Sequence, residues 1–231
     1  MKSGESYMSD TKTNHRPDGL LVTASGAIVD LDDIAAADIR MYDISYGLRH
    51  CNRWSGQLGA MSVAEHSALV TTLLDQIVPA TYEGKRDLLS YALMHDASEA
   101  YLGELPAAVK RRVPDYVELE DNLMRRIADV IGFAAPTTLA DIHDFYAADT
   151  MASVVEMCRA GKIKPTDTPA FVPTKEGDKM LVRKKQIGDR VYIEMAYNAR
   201  LAHAPLGRVG ASDLPTWEMW LIDLFGYFGD V

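Results

Sequence analysis

Cysteine is nearly absent: Cys51 and Cys158 are the only two in 231 residues. So few, so far apart, they exclude a disulfide framework and point to reduced thiols in a cytoplasmic setting. Long hydrophobic runs are missing as well, and no stretch approaches the ~20 apolar residues that a membrane-spanning helix needs. The opening segment MKSGESYMSDTKTNHRPDG lacks the apolar centre of a secretory signal, so none is expected. Positive charge is in deficit, with 24 Lys and Arg against 33 Asp and Glu for a net charge of −9. That balance argues against a grip on polymeric nucleic acid, whose phosphates select a basic surface. Small phosphorylated ligands remain admissible, because a few local cations suffice for them.

What is present is ordinary globular material, 48% hydrophobic and long enough for one large domain. Residues 1–18 read as a mobile polar tail. LLVTASGAIVDL (20–31) alternates around Ser25-Gly26 and predicts a small β-hairpin. From there to Gly161 the pattern is helical, with segments over 37–54, 62–78, 85–103, 115–133 and 138–161. Ser62 followed by Glu65 is a capping box that opens the second of these. Composition then shifts, and 162–190 carries eight Lys and Arg against four acids. KMLVRKKQIGDRVYIEM reads as a basic, solvated surface loop or as a second hairpin turning at Gly188-Asp189, and the aromatic LPTWEMWLIDLFGYFGDV predicts a helix packed on the body or on a partner chain. The expected organisation is a tail (1–18), a helical core (19–161) and an extension (162–231). The fold class is all-α, a helical bundle with small peripheral β-hairpins.

Two His-Asp pairs compete for attention. His95-Asp96 follows the apolar run LLSYALM, and Glu99 sits four residues after the histidine and three after the aspartate, on the same helical face. Three such groups are costly to bury unpaired, and a metal ion removes that cost. His143-Asp144 has acids at Asp141 and Asp149 but no glutamate at the matching distance, and a solvated helix face explains it. His66 lies on an apolar helical face, where it reads either as a satisfied core histidine or as a ligand. Asp149 is an acid in a helix of Ala, Met and Val, with Glu156 seven residues on along the same face. One His, then His-Asp, then Asp, each on a separate helix, is the order of a His₂Asp₂ site between bundle helices.

Taken together, SVAEHS, ALMHDASEAYLGELPAAVK and AADTMASVVE resemble the HD-domain metal-dependent phosphohydrolases. The likeness is nearest to the bacterial 5′-deoxynucleotidases and to phage triphosphohydrolases of deoxyadenosine triphosphate. TASGAIVDL and GLRHCNRWSGQ are similar to upstream pieces of the phage-type proteins. The resemblance covers 20–161 and does not extend past Gly161.

The resemblance implies one divalent transition metal, Co, Mn, Zn or Fe, held by His66, His95, Asp96 and Asp149. It places Glu99 as the catalytic acid/base. Arg53 and Trp54 match its substrate-binding element: the guanidinium suits phosphate oxygens, and the indole packs on the sugar and disfavours a 2′-hydroxyl. Without that context, Trp54 reads as core and Arg53 as a surface cation. Lys110 is a second candidate phosphate cation. The implied reaction is hydrolysis of the 5′-phosphate ester of a deoxynucleotide, with no membrane or nucleic-acid partner and a homo-oligomeric assembly. The alternatives are an HD enzyme acting on alarmones or cyclic nucleotides, and a non-catalytic nucleotide-binding scaffold.

Overall fold

A computed structural model describes residues 20–164, 170–173, 179–187, 190–197, 206–210 and 215–227. The N-terminal tail expected over 1–18 lies outside the described residues. The hairpin over 20–31 forms from β1 (Leu20–Val22) and β2 (Ile28–Asp30), antiparallel with Leu21 opposite Val29. Gly26 supplies the left-handed turn residue at φ 82°. Asp43 fastens this hairpin to the helices, because its carboxylate accepts from the Ser25 backbone N–H at 2.6 Å and from the Ser25 hydroxyl at 2.7 Å.

The helical body contains α1 (Met41–His50), α2 (Val63–Ile77), α3 (Lys85–Met94), α4 (Glu99–Leu102), α5 (Ala107–Lys110), α6 (Pro114–Ile131) and α7 (Leu139–Arg159). Helix α2 is the central rod: eleven of its fifteen residues are buried, and α1, α3 and α7 all pack on it. It starts where the capping box predicts, with Ser62 accepting from the Glu65 N–H and Glu65 accepting from the Ser62 N–H. Helix α6 ends at Gly132 in the left-handed conformation, and Thr138 caps α7. The core that α2 anchors includes Ile44, Leu48, Leu73, Leu74, Leu93 and Met151.

Two predicted helices are interrupted. The 37–54 segment is helical only over α1, with a short 3₁₀ turn at Ala36–Asp38 before it and a tight left-handed turn at Arg53–Gly56 after it. The 85–103 segment breaks after Met94, where Ala97, Glu99, Ala100 and Tyr101 donate to carbonyls three residues back. The His95 side chain takes the Ala92 carbonyl at 2.8 Å, competing with the regular ladder. A turn of three residues stacks i on i+3, so Asp96 and Glu99 still share a face across the break. Gly47 allows α4 to sit against α1, because a Cβ there would meet Ala100 backbone atoms at 2.7–2.8 Å.

The second hairpin is β4 (Lys179–Ile187) with β5 (Arg190–Tyr197), Ile187 pairing with Arg190, while the turn expected at Gly188-Asp189 lies outside the described residues. It is extended on both sides by β3 (Ala170–Pro173) and β6 (Leu206–Gly210), giving an antiparallel sheet of order β3-β4-β5-β6. That is more strand than small peripheral hairpins provide for, since only the central pair carries a turn signal in sequence. β6 lies along α2. Helix α8 (Trp217–Phe225) packs on α2 and α3, with Trp217 Nε1 donating to Ser45 and Trp220 Nε1 to Thr72, each at 3.1 Å. Among the described residues no helix is long and apolar enough to cross a membrane.

Candidate metal centre

Helix α2 delivers His66 into the interior, where the residue is 1% exposed. His95 and Asp96 come from the break after α3, and Asp149 from the middle of α7. The ligating atoms of His66, His95 and Asp96 all lie within 4.8 Å of one another. Asp149 joins this group from one side, its Oδ1 3.1 Å from His66 Nε2. Asp96 Oδ2 is 3.2 Å from His95 Nε2 and 4.0 Å from His66 Nε2. The two imidazoles meet edge to face with centroids 5.4 Å apart, and Phe145 packs edge-on to His95 at 5.2 Å.

Each imidazole is pinned through its Nδ1. His95 Nδ1 bonds the Ala92 carbonyl at 2.8 Å, and His66 Nδ1 bonds Glu156 Oε1 at 2.6 Å. Outer partners of this kind set the tautomer, leaving Nε2 as the atom that faces a metal. His66 Nε2 is buried with no hydrogen-bond partner although two carboxylates lie close. An orphaned nitrogen beside such carboxylates is what a metal ligand requires, and the mixed N/O donor set suits Mn, Fe, Co or Zn. The residues fit a divalent transition metal.

The charges in this centre are strongly coupled. Burial would lower the His95 pKa, but the charge and hydrogen bond of Asp96 outweigh it and bring the imidazole up to about 9. Burial would raise Asp96, yet the neighbouring His95, His66 and Arg53 hold its carboxyl far below the usual carboxylate range. Glu99, 4% exposed, is pushed up to about 8, first by burial and then by the Asp96 charge, with Lys110 opposing. Its Oε1 accepts from Lys110 Nζ at 3.1 Å, while its Oε2 is buried without a partner. A carboxyl poised near neutrality beside the candidate ligands is equipped to exchange a proton.

Arg53 and Trp54 reach the same place from the segment between α1 and α2. The base of that segment is closed by Val63 N–H to the Cys51 carbonyl at 2.9 Å and Arg53 N–H to the Met61 carbonyl at 2.8 Å. Arg53 Nη1 lies 3.4 Å from Asp96 Oδ2, and its Nε lies 3.3 Å from Glu156 Oε2. Trp54 Nε1 donates to Glu156 Oε2 at 2.7 Å. Trp54 and Ser55 hold left-handed backbones, φ 58° and 48°, which are strained for residues with a Cβ. Glu104 accepts from both of their backbone N–H groups, at 3.2 and 3.3 Å.

All eight candidate residues therefore occupy one region. Lys110 arrives there paired with Glu99 and Glu120. The other His-Asp pair, His143-Asp144, contacts itself at 3.5 Å on a more exposed part of α7. Two participants carried no assigned role in the sequence reading. Glu104 had no signal. Glu156 had one, an acid seven residues beyond Asp149 on the same face, and it proves to be wholly buried with three donors around it.

The uncharacterized protein RCAP_rcc00048 of Rhodobacter capsulatus is 38% identical over 136 residues, which cover 57% of this chain and 68% of that protein. The chain belongs to the family of that protein. The uncharacterized protein YfdR of Escherichia coli K12 is 34% identical over 125 residues, 52% of this chain and 65% of its own length. A shorter similarity, 28% over 91 residues, covers a quarter of the Fe(3+) ions import ATP-binding protein FbpC of Mesorhizobium japonicum and carries no functional argument. No family model matches the chain.

Proposed function

We propose that the chain is an HD-type metal-dependent phosphohydrolase that cleaves the 5′-phosphate ester of deoxynucleotides. The observation that carries this reading is the His66, His95 and Asp96 cluster, with an orphaned His66 Nε2 at its centre and Glu99 beside it. His66, His95, Asp96 and Asp149 would hold the ion. When bound, a divalent metal there supplies electrophilic pull on a phosphoryl oxygen and lowers the pKa of a water.

The chain's own residues account for the rest. Glu99 holds or releases a proton near neutral pH, and Lys110 tunes it. Arg53, fixed by two carboxylates, presents a guanidinium to the ester phosphate. Trp54, held with its indole N–H tied inward, offers its ring to the sugar and leaves little room for a 2′-hydroxyl. Monophosphates would yield deoxynucleoside and phosphate; triphosphates of the dATP type would yield deoxynucleoside and tripolyphosphate. The assignment extends to a cytoplasmic homo-oligomer.

The test is incubation of the purified protein with Co, Mn or Zn and mono-, di- and triphosphates of both sugars. Release of deoxynucleosides, abolished by a chelator and by Glu99→Gln, is the expected result. Nucleoside release from none of these with any metal would overturn the proposal, as would full activity in His95→Ala.

A further inference from the structure

We infer that Glu156 is the positioning residue that ties the metal side of this site to its substrate-binding side. The inference rests on the phosphohydrolase reading above. Glu156 is not itself a member of the mutual ligand cluster, and it is 0% exposed. Its two oxygens serve three donors: Oε1 takes His66 Nδ1 at 2.6 Å, and Oε2 takes Arg53 Nε at 3.3 Å and Trp54 Nε1 at 2.7 Å. Every partner is a donor, so the position calls for a group that only accepts. With Nδ1 bonded to Glu156, His66 turns its Nε2 lone pair toward Asp96 and Asp149. The same carboxylate aims Arg53 and Trp54 from a different segment of chain.

Glutamine has nearly the same shape but one accepting oxygen. With that oxygen turned toward His66, the amide N–H₂ opposes the Arg53 and Trp54 donors. Turned the other way, it opposes the His66 Nδ1 proton and favours the tautomer that places a proton on Nε2, where the metal must bind. Either orientation damages one side of the site, and exchange between the two damages both. A residue that only filled space would tolerate the substitution.

The experiment titrates Co(II) alone into the full chain, read by the visible absorption of the bound ion, and then titrates inorganic phosphate at saturating Co(II). Glu156→Gln is expected to weaken Co(II) binding about 10–100-fold, the range for lost outer partners of metal ligands. It should also alter the Co(II) spectrum and weaken phosphate binding. Trp54→Phe removes one N–H from the network without emptying the buried position, and should weaken Co(II) binding by a smaller factor. Unchanged Co(II) affinity in Trp54→Phe, or in a folded Glu156→Gln, overturns the inference. Absence of Co(II) binding by the unaltered chain overturns the phosphohydrolase reading itself, a result visible before any variant is compared.

Discussion

Lys110 Nζ lies 3.1 Å from Glu99 Oε1 and 2.6 Å from Glu120 Oε1, so its ammonium is engaged by two carboxylates. This geometry assigns Lys110 to Glu99 before any phosphate. Lys110 opposes the rise in the Glu99 pKa, so removing it lets that pKa climb further. Lys110→Met is therefore expected to move the Glu99-dependent limb of the pH–kcat/KM profile to higher pH, by about one unit or more. A role confined to phosphate binding predicts a raised KM with the limb unmoved, and the two profiles separate the cases.

Glu99 itself gives a stability prediction for the metal-free protein. Its folded pKa is about 8 against an ordinary 4.5, so the folded state holds the proton more tightly than the unfolded chain. Below the lower value the two states are matched. Between the two values stability declines as pH rises, and above pH 8 the penalty is complete. Glu99→Gln removes that penalty. Its Tm should exceed the natural chain's by several degrees at alkaline pH and converge with it at pH 4, about 2–4 °C for each kcal/mol in a chain of this size. Equal Tm values across the whole range would show that Glu99 is not strained toward its neutral form.

Metal loading should release a proton from His95. In the metal-free centre this imidazole has a pKa of about 9, raised by Asp96 against burial, whereas a ligating imidazole is neutral. Asp96 is already ionised across this range and contributes no proton. Apparent Co(II) affinity should accordingly fall by about tenfold per unit as pH drops below 9, as displacement of a single proton requires. Calorimetry in buffers of different ionisation enthalpy counts the protons directly. A pH-independent affinity between 6 and 9 is incompatible with His95 as a ligand.

Local signals in the sequence translated directly into structure. The Ser62–Glu65 capping box and the Gly26 turn each depend on neighbours within a few positions. The His66, His95 and Asp96 association was legible from the order of His, His-Asp and Asp on separate helices together with the resemblance of the surrounding motifs, since His66 alone reads equally as a core histidine. Features that depend on distant partners were not. The apolar periodicity of 85–103 continues through His95, so nothing local marked the break. Glu156 acquires its place from His66, 90 positions away, Trp54, 102 positions away, and Arg53, 103 positions away. Left-handed backbones at Trp54 and Ser55 are foreign to those residue types, whereas glycine would have announced them.

That strained turn is held from outside by Glu104. Its carboxylate accepts from Trp54 N–H at 3.2 Å and Ser55 N–H at 3.3 Å, and its own N–H contacts Cys51 Sγ at 3.0 Å. Without the carboxylate, two backbone donors lose their acceptor, and the strain favours relaxation toward ordinary φ values. A strained residue costs on the order of 1–3 kcal/mol and persists only while its surroundings enforce it. Glu104→Ala should therefore displace Arg53 and Trp54 while the ligand cluster stays intact. The expected signature is a KM increase of about tenfold or more, equivalent to about 1.4 kcal/mol, with a smaller loss of Co(II) affinity transmitted through the Arg53 and Trp54 contacts to Glu156. Glu104→Gln keeps one acceptor and should fall between. A Glu104→Ala variant that lost Co(II) as readily as substrate would place Glu104 in support of the metal side, contrary to the contacts it makes.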